Sequence, residues 1–307
     1  MAFLYALPGA VAEGLIWGLM AIGVYISYKI LDIADLTVDG SICTGACVCA
    51  VLLGLGVPVW ICVPVAFVTG ALAGTVTGLL HTLLGIPSIL AGILTQLMLY
   101  SVNLVILGGK SLMAVDHRAN VLMVHMSNNP MAIVAMIAMV AVTIIVLWQF
   151  FYTEVGLTLK STGDNPDMSR AQGVDVNRNK VIGLAIANGI VAMAGAMLAQ
   201  YKGSANINDG RGAIVIALAA IFIGLSVSLK IKPNFVVSLI GVVSGGVVYY
   251  IVYNFVILLG LKTDYLKMLS AGIVALFLGV PYMKAEYFTK QKMPQPNAKQ
   301  SGGKADA

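Results

Sequence analysis

The chain has 307 residues, of which 59% are hydrophobic and only 10% charged. A soluble domain carries about 25% charged residues, so this composition excludes a soluble globular protein and predicts an all-α integral membrane protein. The formal charge of +5 does not point to nucleic acid, because the basic residues lie at the ends of apolar segments and in the tail, where a positive-inside bias puts them.

The start, "MAFLYALPGAVAEG", has no basic n-region and carries Glu13. The first apolar segment is therefore expected to stay as a helix rather than be cleaved. A span needs about 20 apolar residues. Nine candidates follow, at 10–30, 36–54, 58–80, 87–108, 129–152, 181–201, 211–229, 234–259 and 265–282. Those at 36–54, 87–108 and 211–229 are short or polar at one end and are expected to be broken or re-entrant. A membrane tolerates such backbone only where protein or a water cavity surrounds it. Together, 1–282 read as one polytopic helical bundle, with a polar connection at about 153–180 and a disordered tail at 283–307. Placing that connection in the cytoplasm and alternating outward puts twelve Lys and Arg inside against six outside. This orientation sets the N-terminus outside and the C-terminus inside.

Within the spans, "GALAGTVTG" spaces Gly70, Gly74 and Gly78 four apart, a small-residue ridge for close helix contact. Cys43, Cys47 and Cys49 fit the same packing role. No His or carboxylate joins them at ligand spacing, so no metal is expected. "GGKS" at Gly108–Ser111 lacks the earlier glycine, since position 104 is Leu104, and it lacks a preceding strand. It is not a nucleotide-binding loop, and no catalytic constellation is visible.

"DIADLTVDGSICTG" carries Asp32, Asp35 and Asp39 into an apolar run. A carboxylate at the bilayer centre costs about 2.5–3.5 kcal/mol. Asp39 opens a stretch of small and hydroxyl residues that includes Ser41 and Thr44. It reads either as a helix cap at the membrane surface or as the start of a broken helix lining a polar cavity. The two roles are compatible. Ser88, after Pro87, suits the start of another broken helix. Gln96, Asn103, Asn188 and Gln200 are the other polar residues in apolar surroundings, a position more often filled by helix–helix glue than by ligands. Asp39, Ser41, Thr44, Ser88 and Gln96 are the candidate pathway residues.

The longest polar interruption is "STGDNPDMSRAQGVDVNRNK", Ser161 to Lys180. Its first half spells a very short helix. Asp164 or Asn165 can cap it, Pro166 fits its first position, and Gly173 can take the left-handed position that ends it. Asp167 and Arg170 complement the helix dipole, and Met168 offers an apolar knob. A helix this short is marginal in water, so it needs a partner.

The run "GLTLKSTGDNPDMSRAQGVDVNRNKVIGLAIANGIVAMAGAMLAQYKG" resembles the cytoplasmic loop and following helix of ABC-importer permeases of the branched-chain amino acid and ribose type. The matching motifs are Thr153–Gly156, Ser161–Pro166, Arg170–Gly173 and Ala194–Ala196. "DLTVDGSICTGACVCAVLL" is similar to the family's second-helix signature, and the likeness covers roughly 10–282. The branch it most resembles is that of aromatic amino acid permeases. The resemblance implies a non-catalytic subunit of the bacterial inner membrane, paired with a second copy of itself. It implies two ATPase subunits that hold the ATP and Mg, and a periplasmic or lipoprotein binding protein that delivers a small polar, amino-acid-like solute. It assigns ATPase coupling to Gly163, Asp164, Asn165, Pro166, Met168, Arg170 and Gly173. It assigns no solute ligands. Arg118, Lys202 and Arg211, on the outer side, are candidates for docking the binding protein. The rival reading, a self-sufficient secondary transporter or channel, leaves the short capped helix unexplained.

Overall fold

In hydrocarbon every backbone N–H and C=O must be satisfied within the protein, and for apolar runs of this length the solution is the helix. A computed structural model of the chain describes residues 2–115, 129–228 and 234–258, with a few isolated positions between 268 and 279. Helix α1 (Ala2–Tyr25) continues through one wide π turn at Ile26–Ile30. After it come α2 (Val38–Gly54), α3 (Val59–Thr82) and α4 (Ser88–Ile106). A short strand β1 (Leu112–Ala114) precedes α5 (Asn129–Phe151), α6 (Glu154–Asp164), α7 (Pro166–Ala171) and α8 (Val176–Lys202). Strand β2 (Ser204–Asn206), α9 (Ala213–Ser228) and α10 (Phe235–Leu258) complete the described chain.

Among the described residues, six helices are long and apolar enough to cross a membrane, and α2 and α9 are shorter apolar helices. The all-α polytopic class expected from composition is what the structure has. Helices α1 and α8 are the buried centre, with Ile16, Leu19, Met20, Leu184, Ala187 and Val191 all sealed from solvent. The outward faces of α3, α4 and α5 expose Leu72, Leu94, Val134 and Ile145, as a lipid-facing surface requires.

Helix α3 runs antiparallel to α8, and the glycine ridge is where they touch. A methyl added at Gly70 would meet the backbone of Asn188, one at Gly74 that of Leu184, and one at Gly78 that of Val181. The ridge brings two backbones together where lipid supplies no hydrophobic drive.

The short helices arise from chain reversals inside the bundle. The π turn ends where Ile30 meets Gly163 of α6, at what we call the loop end of the molecule. The chain then doubles back without helix. Asp32 takes a left-handed φ of 55°, and by Asp35 the chain has reached Asn188 of α8. Asn188 lies twelve residues into α8, about 18 Å along its axis, so α2 begins at half depth. On the other side, β1 pairs antiparallel with β2 through Leu112–Asn206, Met113–Ala205 and Ala114–Ser204. Residues 207–212 then drop inward, and α9 also begins inside the bundle, beside the first turn of α2.

Two of the three expected interruptions, at 36–54 and 211–229, therefore correspond to helices that start at depth. The third does not: 87–108 holds a continuous span, Ser88–Ile106, long enough to cross unaided. Pro87 stands before its first residue and leaves the helical hydrogen bonds intact. The expected span at 265–282 lies almost wholly outside the described residues, and the tail at 283–307 lies outside them altogether.

Candidate functional site

Two polar constructions interrupt the apolar bundle, one at the loop end and one at half depth. The first is the segment from Thr153 to Asp175. Thr153 caps α6 by accepting the Gly156 N–H at 3.3 Å. Asn165 caps α7, its Oδ1 accepting the Met168 N–H at 3.0 Å, with Pro166 at the first position. Of the two cap candidates in the sequence it is thus Asn165 that acts, and Asp164 closes α6 instead. Arg170 meets Asp167 at 3.2 Å across one turn, an exposed pair worth little by itself. Gly173 ends the segment with φ +82°, a conformation that favours glycine. Asp175 then caps α8 by accepting the Arg178 N–H at 3.1 Å.

This segment is fastened to the bundle at two points, and α7 is fastened to α6 at a third. Gly163 sits so close to the carbonyl of Ile30 that no side chain fits between them. Asn179 of α8 donates to Thr162 Oγ1 at 3.0 Å. Within the segment, the buried Ser169 hydroxyl donates to the Asn165 carbonyl at 3.0 Å and lies 3.2 Å from Ser161 Oγ, which joins α7 to α6. Met168, by contrast, is 60% exposed. So α7 has an anchored underside and a free outer face. Replacing Asn165 with alanine should cost about 1 kcal/mol of local stability. The expected readout is faster amide exchange confined to 166–171, with α8 unchanged.

The second construction surrounds the start of α2. Asp35, 2% exposed, accepts the Thr37 N–H at 2.8 Å and the Asn188 side-chain amide at 2.6 Å. Asn188 Oδ1 in turn accepts Ser41 Oγ–H at 2.6 Å, and the hydroxyls of Thr37 and Thr77 meet at 2.7 Å. One buried network thus ties the reversal before α2 to α3 and α8. It satisfies a carboxylate that would be costly alone.

One helical turn further along, Asp39 faces the other way. Its carboxylate accepts the N–H groups of Gly212 and Ile214, both at 2.9 Å, so it caps α9 across space and favours that helix's positive end. Asp39 also borders a cavity of about 310 Å³ between α2, α4 and the turn before α9, walled in part by Cys43, Gln96, Tyr100, Asn103 and Arg211. The two sequence readings of Asp39 meet here, although the helix it caps is not its own.

The structure therefore brings Asp39, Gln96 and Arg211 to one cavity. Arg211, read from sequence as a docking residue, lies over the Tyr100 ring at 5.9 Å. Ser41 belongs to the Asp35 network, and Thr44 donates to its own helix at Gly40 O, 3.0 Å away. Ser88 is the first residue of α4, one turn toward the loop end from Gly92, which packs on Leu36. Lys202 pairs with Asp209 at 3.7 Å. Arg118 lies outside the described residues. Sequence reasoning missed Tyr100 as a wall residue and assigned Asn103 to glue. The signal was present, because Gln96, Tyr100 and Asn103 are four and three apart and so share one face of α4.

A family model described as branched-chain amino acid transport system, permease component, matches residues 9–278. The chain is 35% identical over 267 residues to the tyrosine transport system permease protein of Clostridioides difficile (strain R20291), covering 87% of this chain and 88% of that protein. It is 30% identical over 279 residues to an uncharacterised protein of Rickettsia prowazekii (strain Madrid E), covering 90% and 97%. It is also 24% identical over 244 residues to the ribose import permease of Escherichia coli (strain K12), covering 79% and 75%. No solved structure matches the chain significantly.

Proposed function

The chain belongs to the branched-chain amino acid transport system permease family, and from that premise we propose that it is the membrane subunit of an ATP-driven importer for an amino acid, tyrosine being the first candidate. The solute class rests on the name of the Clostridioides relative. The chain itself does no catalysis. Two ATPase subunits hold the ATP and Mg, a binding protein delivers solute from outside, and a second copy of this chain completes the pathway. The loop end faces the cytoplasm of a bacterial inner membrane.

The observation that carries this reading is α7. It is a six-residue helix, capped at its start and closed by Gly173, with its underside joined to α6 through Ser169 and Ser161 and its outer face bare. Among the described residues nothing covers Met168, and a groove on an ATPase would receive such a knob. Gly163, Asp164, Asn165, Pro166 and Gly173 shape it, and Met168 and Arg170 are its contact residues. Because α6 rests on Ile30 and hydrogen-bonds to α8, a push on α7 travels into the first span and α8. Asp39 on α2 and Gln96 on α4 line the pathway.

The test is a pair of charge changes on the exposed face, Met168→Glu and Arg170→Glu. Each should leave the chain folded and membrane-inserted while releasing the ATPase during co-purification, with uptake falling to background. Normal complex and normal uptake would overturn the coupling role. Uptake by proteoliposomes holding this chain alone would overturn the importer reading altogether.

A further inference from the structure

The half-depth cavity carries an unbalanced set of polar groups. Asn103 is only 1% exposed, yet its Oδ1 has no hydrogen-bond partner among the described residues, and it lies on the cavity wall. A buried acceptor without a donor costs about 1–3 kcal/mol unless something supplies one. Arg211, on the same wall, makes no ion pair among the described residues, and its guanidinium is held over Tyr100. The Asp39 carboxylate takes the N–H groups of Gly212 and Ile214 and a further contact from that of Ala213, which still leaves one of its roughly four acceptor positions. A cation, an anion and a bare acceptor thus border one space, and the two charges do not meet each other.

We propose that this cavity binds the head group of a zwitterionic α-amino acid. The carboxylate pairs with Arg211, and the ammonium sits between Asp39 and Asn103 Oδ1. The inference rests on the importer reading and narrows its solute and its site. A guanidinium is suited to a two-pronged carboxylate contact, and an ammonium brings three donors, enough for both Asp39 and Asn103. Other solute classes fit less well. A sugar answers neither charge, a dicarboxylate sets a negative group against Asp39, and a polyamine sets a positive one against Arg211. The volume of about 310 Å³ is at the small end for ligand cavities and suits a single amino acid. Leu97, Tyr100 and Ile207 leave an apolar wall for its side chain.

The test crosses charge deletions in the protein with charge deletions in the ligand. Full-length chain in lipid nanodiscs is titrated with radiolabelled L-tyrosine and displaced by tyramine, which lacks the carboxylate, or by hydroxyphenylpropionate, which lacks the amine. Wild type should prefer L-tyrosine to either by about tenfold or more, as expected for losing one desolvated charge contact. Arg211→Gln should weaken L-tyrosine and hydroxyphenylpropionate by about tenfold or more but leave tyramine unchanged, and Arg211→Lys should restore part of the loss. Asn103→Leu should weaken L-tyrosine and tyramine but leave hydroxyphenylpropionate unchanged. Absence of saturable L-tyrosine binding to wild type, or equal weakening of all three probes, overturns the site. The importer reading is scored separately, by ATP-dependent uptake in the assembled complex. Uptake that persists with unchanged solute preference in Arg211→Gln and Asn103→Leu removes the site and leaves the importer.

Discussion

Gly163→Val should silence transport while leaving the bundle folded. Gly163 is the point at which α6 rests on the end of the first span, and an added Cβ would run into the carbonyl of Ile30 and lie 3.0 Å from Leu31 Cα. Both are backbone atoms, so neither can swing aside. Helix α6 must lift, and α7 lifts with it. Forcing atoms into a packed contact costs about 1–3 kcal/mol, and each 1.4 kcal/mol is a factor of ten in an equilibrium. The strain falls at the end of the molecule, away from the α1–α8 centre, so the expected result is normal insertion with the loss of stability confined to 154–171. Uptake is expected to fall by about tenfold or more in whole cells, with ATP hydrolysis no longer responding to the binding protein. Gly163→Ala should be intermediate. Wild-type uptake by Gly163→Val would show that this contact does not carry the motion.

Asn188→Leu should instead unfold the centre. Asn188 donates to the Asp35 carboxylate and accepts from Ser41, and both partners are buried. Leucine has nearly the same volume but no hydrogen bonds. It leaves Asp35 with partners from Thr37 alone and leaves Ser41 without its acceptor. Removing one partner from a buried charged group costs about 3 kcal/mol, a large part of any protein's margin. The thermal midpoint of the purified chain should drop by several degrees, with poor recovery from membranes. Asp35→Asn should cost less, because the amide keeps an acceptor for Asn188 and removes the charge. A midpoint unchanged in Asn188→Leu would mean that the network contributes nothing to stability.

The residues differ in how openly they announced these roles. Asn165, Pro166, Arg170 and Gly173 act through local rules, a cap, a fixed φ, a dipole and a left-handed turn, so their arrangement was readable in sequence order. The ridge of Gly70, Gly74 and Gly78 was readable for the same reason, since a repeat of four residues is itself the geometry of a helix face. Asp39 was half readable. Its polarity marked it as either a cap or a cavity residue, but the N–H groups it caps belong to Gly212 and Ile214, far along the chain. Arg211 looked like an outer loop charge because nothing local shows that 207–212 fold inward. The break expected near Ser88 failed because a proline before a helix and a proline that interrupts one leave the same mark in a sequence.

What the sequence determined by itself is whatever depends on composition and near neighbours: a helical membrane protein, the approximate limits of its described spans, and one short capped helix. What only the tertiary structure decided is which polar groups share a space. The reversal after Ile30 and the inward turn before Ala213 bring the starts of α2 and α9 together at half depth. That meeting separates Asp35 and Asn188, which satisfy each other, from Asp39, Asn103 and Arg211, which face a cavity. Periodicity gives a residue its face on one helix. Only the packing of several helices against each other determines what stands opposite.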